Sequence, residues 1–287
     1  MTQILENIYE QIDQRFYELT AAERKAADFV MRRRGDVQFL SIGEFAEQSG
    51  VAEATITRFC RRLGCAGYSA FKLAVANAGS AQRGTSPLQG RSVEAGDSLN
   101  DLERKLLTVD AEAMEKTLEL LRPETLDRAV QILTRAKKVL CMGLGGSMLM
   151  AAEAAHLFST VSGKFIPVSD AHLQVIAAST LLEEDAVLYF SYSGATKDME
   201  DTLRTAREQG ALVILVTRFP RAPGAALADL VLQCGASESP LEMGSVAARI
   251  AQLYLLDVLF ARYCMQDPEG CAKTRRRIAA ALSDKHL

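Results

Sequence analysis

Residues 138–147 read KVLCMGLGGS, and residues 186–196 read AVLYFSYSGAT. Each segment is an apolar run followed at once by glycine and hydroxyl residues, and then by a stretch with helical patterning. An apolar run of this length bounded by turn residues indicates a buried strand, and glycine suits a sharp turn into a helix. Two strand-turn-helix units of this kind predict a parallel sheet flanked by helices.

Three further apolar runs extend this pattern, one between the two segments and two after them. A helical stretch from Leu99 to Leu121, and another from Leu126 to Ala136, come before the first run. We therefore predict an α/β domain with a five-stranded parallel sheet flanked by helices. Its strands are expected at Lys138–Met142, Phe165–Val168, Ala186–Ser191, Leu212–Thr217 and Leu230–Gln233.

The part of the chain before residue 79 has only helical patterning. Two S/T-x-x-E capping boxes, Thr20 with Glu23 and Ser41 with Glu44, each open a predicted helix. Five helices are predicted in all. They are an apolar stretch over Ile4–Phe16, a helix from Thr20 through Val30, and helices at Ile42–Gln48, Ala52–Leu63 and Tyr68–Asn77.

The length of 287 residues, at about 150 residues per domain, agrees with two domains. Between the two patterns lies the segment Gly79–Asn100, which is rich in glycine and serine and predicts a flexible linker. The expected organisation is an all-α domain over 1–78, a linker over 79–100, connecting helices over 101–136, the α/β domain over 137–265 and a tail helix over 266–287.

Composition limits the possible classes. Hydrophobic residues make up 48% and charged residues 24%, as in globular proteins, and the net charge of −3 excludes a uniformly basic coat for nucleic acid. No apolar run reaches the about 18 residues of a membrane span, and the N-terminus lacks the layout of a signal peptide, so we expect a cytoplasmic protein without membrane contact. Six scattered cysteines without a C-x-x-C pair predict reduced packing thiols and no metal site.

The residues Ala46, Gly50 and Ile56 have the spacing of a helix-turn-helix: a small residue, a turn glycine and an apolar anchor. Residues 55–72 contain four basic side chains and no acidic one, which is the charge pattern that phosphate contact requires. The alternative is a packing module with a solvated arginine face. If the unit binds DNA, the outward candidates are Thr55, Thr57, Arg58, Arg61, Arg62 and Lys72.

The run TITRFCRRLG at 55–64, followed by Gly67-Tyr68 and Phe71-Lys72, resembles the N-terminal domain of the RpiR family of bacterial transcription regulators. This resemblance implies a helix-turn-helix domain that binds double-stranded operator DNA. One departure is Ala52, where the family usually has a serine that would cap the second helix, and losing such a cap costs about 0.5–2 kcal/mol.

The two turns of the α/β domain suit an anion. Glycines at 143, 145 and 146 allow backbone N–H groups to approach a ligand at the start of a helix, which is predicted from Met148. A dinucleotide fingerprint would need a further glycine three residues after Gly145, which the sequence lacks, so no cofactor is expected. The hydroxyls of Ser191, Ser193 and Thr196 suit a phosphate, whereas helix capping would explain Thr196 alone.

Together these turns resemble the sugar isomerase (SIS) domain, which forms the usual C-terminal half of RpiR-family regulators, over about Leu126–Cys264. The resemblance implies that a phosphosugar binds at the carboxyl ends of the strands, and that His172 hydrogen-bonds the sugar, although it is equally well a helix-start histidine. The implied ligand residues are Gly145, Gly146, Ser147, His172, Ser191, Ser193, Gly194 and Thr196.

Two functions follow from this architecture. The first is a phosphosugar-responsive regulator of carbohydrate metabolism genes. The alternative is an SIS-type isomerase or lyase, for which Glu242 and His172 are available as acid and base. A helix-turn-helix domain on a linker favours the regulator, which is not an enzyme. The Gly-Leu-Gly-Gly-Ser and Ser-Tyr-Ser-Gly motifs resemble the branch that senses N-acetylmuramate 6-phosphate, but Glu242-Met243-Gly244-Ser245 departs from the family pattern and leaves the sugar open.

A homo-oligomer, dimer or tetramer, is expected because one helix-turn-helix reads only a half-site. The last helix of the α/β domain carries more apolar residues than one sheet face should cover. They are Ile250, Leu253, Tyr254, Leu256, Val258, Leu259 and Phe260.

Overall fold

The computed structural model describes residues 7–81, 93, 96–236 and 245–283. The described residues form two compact units, one containing those up to Val109 and the other those from Asp110 onward. Among them, no helix has the length and apolar character needed to cross a membrane. All six cysteines are described, and none forms a disulfide.

The N-terminal unit is all-α. Its helices are α1 (Ile8–Arg15), α2 (Ala21–Arg32), α3 (Ile42–Ser49), α4 (Glu53–Arg62), α5 (Tyr68–Ala81) and the first half of α6 (Leu99–Leu120), with 3-10 turns at Phe16–Glu18 and Val37–Phe39. All five predicted helices are present among the described residues, and residues 4–6 of the first prediction lie outside them.

The edges of the predicted linker are wrong, because α5 continues to Ala81 and α6 begins at Leu99. Alanines at 74, 76, 78 and 81 favour this extension of α5, since alanine has the highest helix propensity. Of the segment between these helices, only residues 93 and 96–98 are described, so the predicted flexibility lies largely outside the described residues.

Both predicted capping boxes form. The Thr20 hydroxyl accepts from the Glu23 N–H and the Glu23 carboxylate accepts from the Thr20 N–H, and Ser41 and Glu44 make the same pair of bonds. At the other end of α3, Gly50 adopts the left-handed conformation with φ of 66°, as a glycine C-cap does. The turn between α3 and α4 is therefore a helix-turn-helix turn.

The second unit is an α/β sandwich. Its strands are β1 (Val139–Gly143), β2 (Phe165–Val168), β3 (Ala186–Phe190), β4 (Leu212–Thr217) and β5 (Leu230–Gln233), all parallel, in the order β2-β1-β3-β4-β5. The helices are α7 (Pro123–Arg135), α8 (Gly146–Ser159), α9 (Ala171–Ala178), α10 (Lys197–Glu208), α11 (Val246–Cys264) and α12 (Pro268–Leu282).

The predicted five-stranded parallel sheet is confirmed, with strand ends shifted by one residue at β1 and β3. Helices α7, α8 and α11 cover one face around Phe158 and Leu255, and α9 and α10 cover the other around Leu203. Strand β2 follows β1 in the chain and pairs with one edge of β1, whereas β3 pairs with the opposite edge of β1. This reversal creates a switch point at the carboxyl ends of β1 and β3, where open α/β sheets bind ligands.

Candidate functional site

The turn from β1 into α8 is shorter than the sequence predicts. The helix begins at Gly146 and not at Met148, because the Ser147 and Met148 N–H groups already donate to the carbonyls of Leu144 and Gly145. Gly145 is the N-cap, with φ of 56° and ψ of −128°, a conformation that favours glycine. Gly146 and Ser147 thus belong to the first helical turn, at the positive end of the helix dipole.

Gly143 permits this tight turn by its lack of a side chain. A Cβ at this position would lie 2.6 Å from the Ser147 carbonyl oxygen and 3.0 Å from the Phe190 carbonyl oxygen. These are backbone atoms of α8 and β3, which cannot move aside easily. The start of α8 is therefore packed directly onto the ends of β1 and β3.

The turn from β3 into α10 is built around a serine. The Oγ of buried Ser191 accepts a hydrogen bond of 3.1 Å from the Gly194 N–H. Gly194 has φ of 60°, and a Cβ there would lie 2.7 Å from the Ala222 Cβ and 3.0 Å from the Thr217 Oγ1. Ser191 therefore shapes the turn, and its hydroxyl proton is still available to a ligand oxygen.

The other predicted hydroxyls lie toward solvent. Ser193 and Thr196 are exposed and Ser147 is half-buried. Thr196 occupies the N-cap position of α10, but its side chain makes no capping hydrogen bond, so capping does not explain this residue. Because Gly143 and Phe190 are paired in the register of β1 and β3, the two turns leave the sheet from neighbouring positions.

His172 is exposed in the first turn of α9, behind Asp170, whose side chain accepts from the Leu173 N–H at 2.9 Å. The His172 side chain makes no hydrogen bond among the described residues. Glu242, the acid or base candidate of the enzyme alternative, lies outside the described residues.

Gln174 is a residue of this site that the sequence analysis did not identify. Its side chain is fully buried and its Nε2 donates to the carbonyls of Gly143 and Val168, both at 2.9 Å. Its Oε1 accepts from the Tyr189 hydroxyl, also at 2.9 Å. One amide thus connects the ends of β1 and β2 with β3 beneath the glycine turn. A glutamine at a helix position otherwise expected to be apolar is the only sequence signal for it.

The helix-turn-helix unit presents most, but not all, of the predicted polar residues to solvent. Arg58 and Arg61 are exposed on α4, and Thr57 is half-buried. The outward placement predicted for Thr55 is wrong. Thr55 lies one helical turn before the fully buried Phe59, so it shares the inward face. Its Oγ1 accepts a 3.0 Å hydrogen bond from Arg58 Nη2.

Two further candidates have intramolecular contacts. Arg62 is paired with Glu23, with 3.4 Å between Nε and Oε1. Lys72 is half-buried on α5, with its Nζ 6.0 Å from the centroid of the Tyr68 ring. The N-cap of α4 is Ala52 and has no side-chain bond, in agreement with the predicted loss of a cap.

Family models match both units. The model described as a helix-turn-helix domain of the rpiR family matches residues 6–82, and the SIS domain model matches residues 132–262. An uncharacterized HTH-type transcriptional regulator of Caldanaerobacter subterraneus is 32% identical over 241 residues, covering 84% of each chain. One from Haemophilus influenzae is 29% identical over 283 residues, covering 98% of each chain.

A solved structure agrees with these matches. The Vibrio vulnificus NanR protein, complexed with ManNAc-6P, is similar with a TM-score of 0.85 and 25% identity, covering 98% of this chain and 100% of that one. The relatives are named as transcriptional regulators, so the isomerase or lyase alternative is not favoured. This chain, with its helix-turn-helix unit and its SIS domain, therefore belongs to the RpiR family of HTH-type transcriptional regulators.

Proposed function

We propose that the crevice at the carboxyl ends of β1 and β3 binds a phosphosugar, and that binding changes the affinity of the helix-turn-helix unit for operator DNA. The observation that carries the proposal is the pair of strand-to-helix turns at neighbouring positions of the sheet. Each has a glycine with positive φ, and each leads into a helix of at least 12 residues.

The chemistry of the two turns suits a phosphate. The N-termini of α8 and α10 supply N–H donors and partial positive charge. The hydroxyls of Ser147, Ser193 and Thr196 have no intramolecular acceptor among the described residues and can donate to phosphate oxygens. Hydrogen bonds to a charged group are worth about 1.5–3 kcal/mol each, so a few of them give useful affinity.

The sugar part would contact residues beyond these turns, with exposed His172 on α9 as our candidate. The NanR neighbour was solved with ManNAc-6P, an N-acetylated amino sugar phosphate. We therefore propose this ligand class, with ManNAc-6P and N-acetylmuramate 6-phosphate as the first two compounds to test. The genes under control would then belong to carbohydrate metabolism.

DNA contact is assigned to the exposed side of α4. Arg58 and Arg61 are the main candidates, and Thr57 on the same helix and Lys72 on α5 are further candidates. We expect loss of operator binding when Arg58→Ala and Arg61→Ala are combined, because one base-reading arginine contributes about 1–3 kcal/mol. An electrophoretic shift assay with the double variant checks this expectation, and wild-type binding would contradict it.

We further propose that two copies pair through the outer side of α11. Part of the apolar excess predicted there is satisfied inside the chain, because Leu256, Leu259 and Phe260 are buried. Leu253 is 42% exposed, and it forms an outer stripe with neighbours one turn away. The stripe consists of Val246, Ile250, Leu253, Tyr254 and Val258. A cytoplasmic dimer of this kind would supply the two helix-turn-helix units that a palindromic operator requires.

The test combines ligand binding with operator binding. Purified protein is screened by thermal shift against sugar phosphates and their unphosphorylated sugars, since a ligand at 100 times its Kd stabilises by about 2.7 kcal/mol. A shift that requires the phosphate, and that is lost in Ser193→Ala but kept in Ser159→Ala, supports the site. Ser159 is exposed at the opposite end of α8 and serves as the matched control. Equal shifts in both variants would refute the assignment.

A further inference from the structure

Arg62 differs from its neighbours on α4 in what its side chain contacts. Its Nη1 donates to the Glu18 carbonyl at 3.0 Å, and its Nε lies 3.4 Å from Glu23 Oε1. Its own carbonyl accepts a hydrogen bond from Arg15 Nη1. The last turn of α4 is thus tied to the end of α1, to the 3-10 turn and to the first turn of α2.

The acidic member of this cluster is buried. The Glu23 side chain is 4% exposed, and its Oε2 accepts from the Thr20 N–H at 2.8 Å and from the Thr20 hydroxyl at 2.9 Å. Burial raises the pKa of this carboxyl, but the Thr20 hydrogen bonds and the charges of Arg62 and Arg58 outweigh burial and lower it. Glu23 is therefore ionised, and a buried carboxylate needs a cationic partner.

Arg61, the adjacent residue, provides the contrast. Its side chain is exposed and makes no hydrogen bond or ion pair within the part of the chain that the structure describes. Arg61 can therefore reach a phosphate without giving up an intramolecular contact. The Arg62 side chain is 44% exposed, but to contact a phosphate it would have to leave the buried Glu23 carboxylate unpaired, and an unpaired buried charge is costly.

We propose that Arg62 is a positioning residue and not a DNA contact. Together with Glu23 it holds the C-terminal end of α4 against the start of α2, and so sets the orientation in which α4 presents Arg58 and Arg61 to DNA. This revises the sequence-based assignment of Arg62 to the DNA surface. The inference rests on the helix-turn-helix function and is independent of the phosphosugar site.

The salt dependence of operator binding distinguishes the two roles. Each phosphate contact contributes about one unit to the slope of log K against log salt concentration, whereas a positioning residue contributes none. The experiment uses the full-length protein and a duplex selected from random-sequence DNA by the wild type, titrated at several salt concentrations. Arg62→Met, Glu23→Gln and the matched control Arg61→Met are compared well below their melting temperatures.

We expect Arg62→Met and Glu23→Gln each to weaken binding about tenfold at every salt concentration, with the wild-type slope. Arg61→Met should lower the slope by about one. A lowered slope in Arg62→Met would show a phosphate contact and overturn the proposal. Wild-type operator affinity in Arg62→Met or in Glu23→Gln would show that the pair has only a structural role, and this result would also overturn the proposal.

The double variant Glu23→Gln/Arg62→Met covers the case in which a single variant folds poorly. It leaves no unpaired buried charge, so it should be at least as stable as Arg62→Met, and its affinity should match that of the better-folded single variant. If the loss of operator affinity in the double variant equals the product of the two single-variant losses, the two residues act independently, and this result would contradict a shared positioning role.

Discussion

The β1–α8 turn and the β3–α10 turn leave neighbouring strands at paired residues, yet they are stabilised in different ways. The second turn is closed locally by Ser191, which bonds to Gly194 three residues later. The first turn has no such side chain and relies on Gly143 for close packing and on Gln174, 31 residues away, for support. The first turn should therefore be the more sensitive to changes that leave the ligand surface untouched.

The largest effect on the first turn should come from adding a methyl group at Gly143. In Gly143→Ala the new Cβ meets backbone atoms of Ser147 and Phe190 within 3.0 Å, so α8 must shift away from the sheet. We expect a loss of about 3 kcal/mol, the upper part of the range for overpacking. Urea unfolding of Gly143→Ala against the exposed control Gly163→Ala, which has no atom within 4 Å of a new Cβ, measures the difference. Equal stability of the two variants would contradict the packing of α8.

Removing the support beneath the first turn should have the next largest effect. Gln174→Leu leaves the Tyr189 hydroxyl and the carbonyls of Gly143 and Val168 without their side-chain partner. Unsatisfied buried groups cost about 1–3 kcal/mol, and we expect about 2 kcal/mol together with weaker ligand binding. Gln174→Glu keeps the shape but places a buried carboxyl group against the two carbonyl oxygens, so it should destabilise the protein at least as much as Gln174→Leu. Wild-type ligand affinity in Gln174→Leu would show that the turn does not depend on this amide.

Removing the hydroxyl groups that we propose to bind the ligand should have the smallest effect on the free energy of unfolding. Ser193→Ala and Ser147→Ala remove groups that face solvent, so the free energy of unfolding should change by no more than about 0.5 kcal/mol. Phosphosugar affinity should fall at least tenfold in each, while operator binding without ligand stays unchanged. Calorimetry that finds wild-type affinity in both variants would remove these hydroxyls from the site.

Patterns local in sequence were sufficient for most of the fold. The five strands, the two capping boxes and the turn at Gly50 follow from apolar runs, short spacings and glycine. The proline at the start of α7 is a local signal too, and placing that helix from Leu126 instead of Pro123 overlooked it.

The residues that sequence reasoning missed act across the chain. Gln174 joins three strand ends, and Glu23 and Arg62 are 39 positions apart in sequence. The sequence patterning does not reveal these long-range contacts, because each partner also fits an ordinary local pattern. Glu23 belongs to a capping box, and Arg62 belongs to a basic helix face. A polar residue such as Thr55 is expected on the outer face of α4, but its spacing of four residues from Phe59 indicates the inner face.

If ligand binding in the SIS crevice controls operator binding, as we propose, the affinities for the two ligands must be linked. The affinity of the full-length protein for the phosphosugar is measured by calorimetry with and without saturating operator duplex, and operator affinity is measured with and without phosphosugar. We expect the same factor in both directions, within the usual range of about 5–150-fold. Phosphosugar affinity that is identical in the free and DNA-bound protein would contradict it.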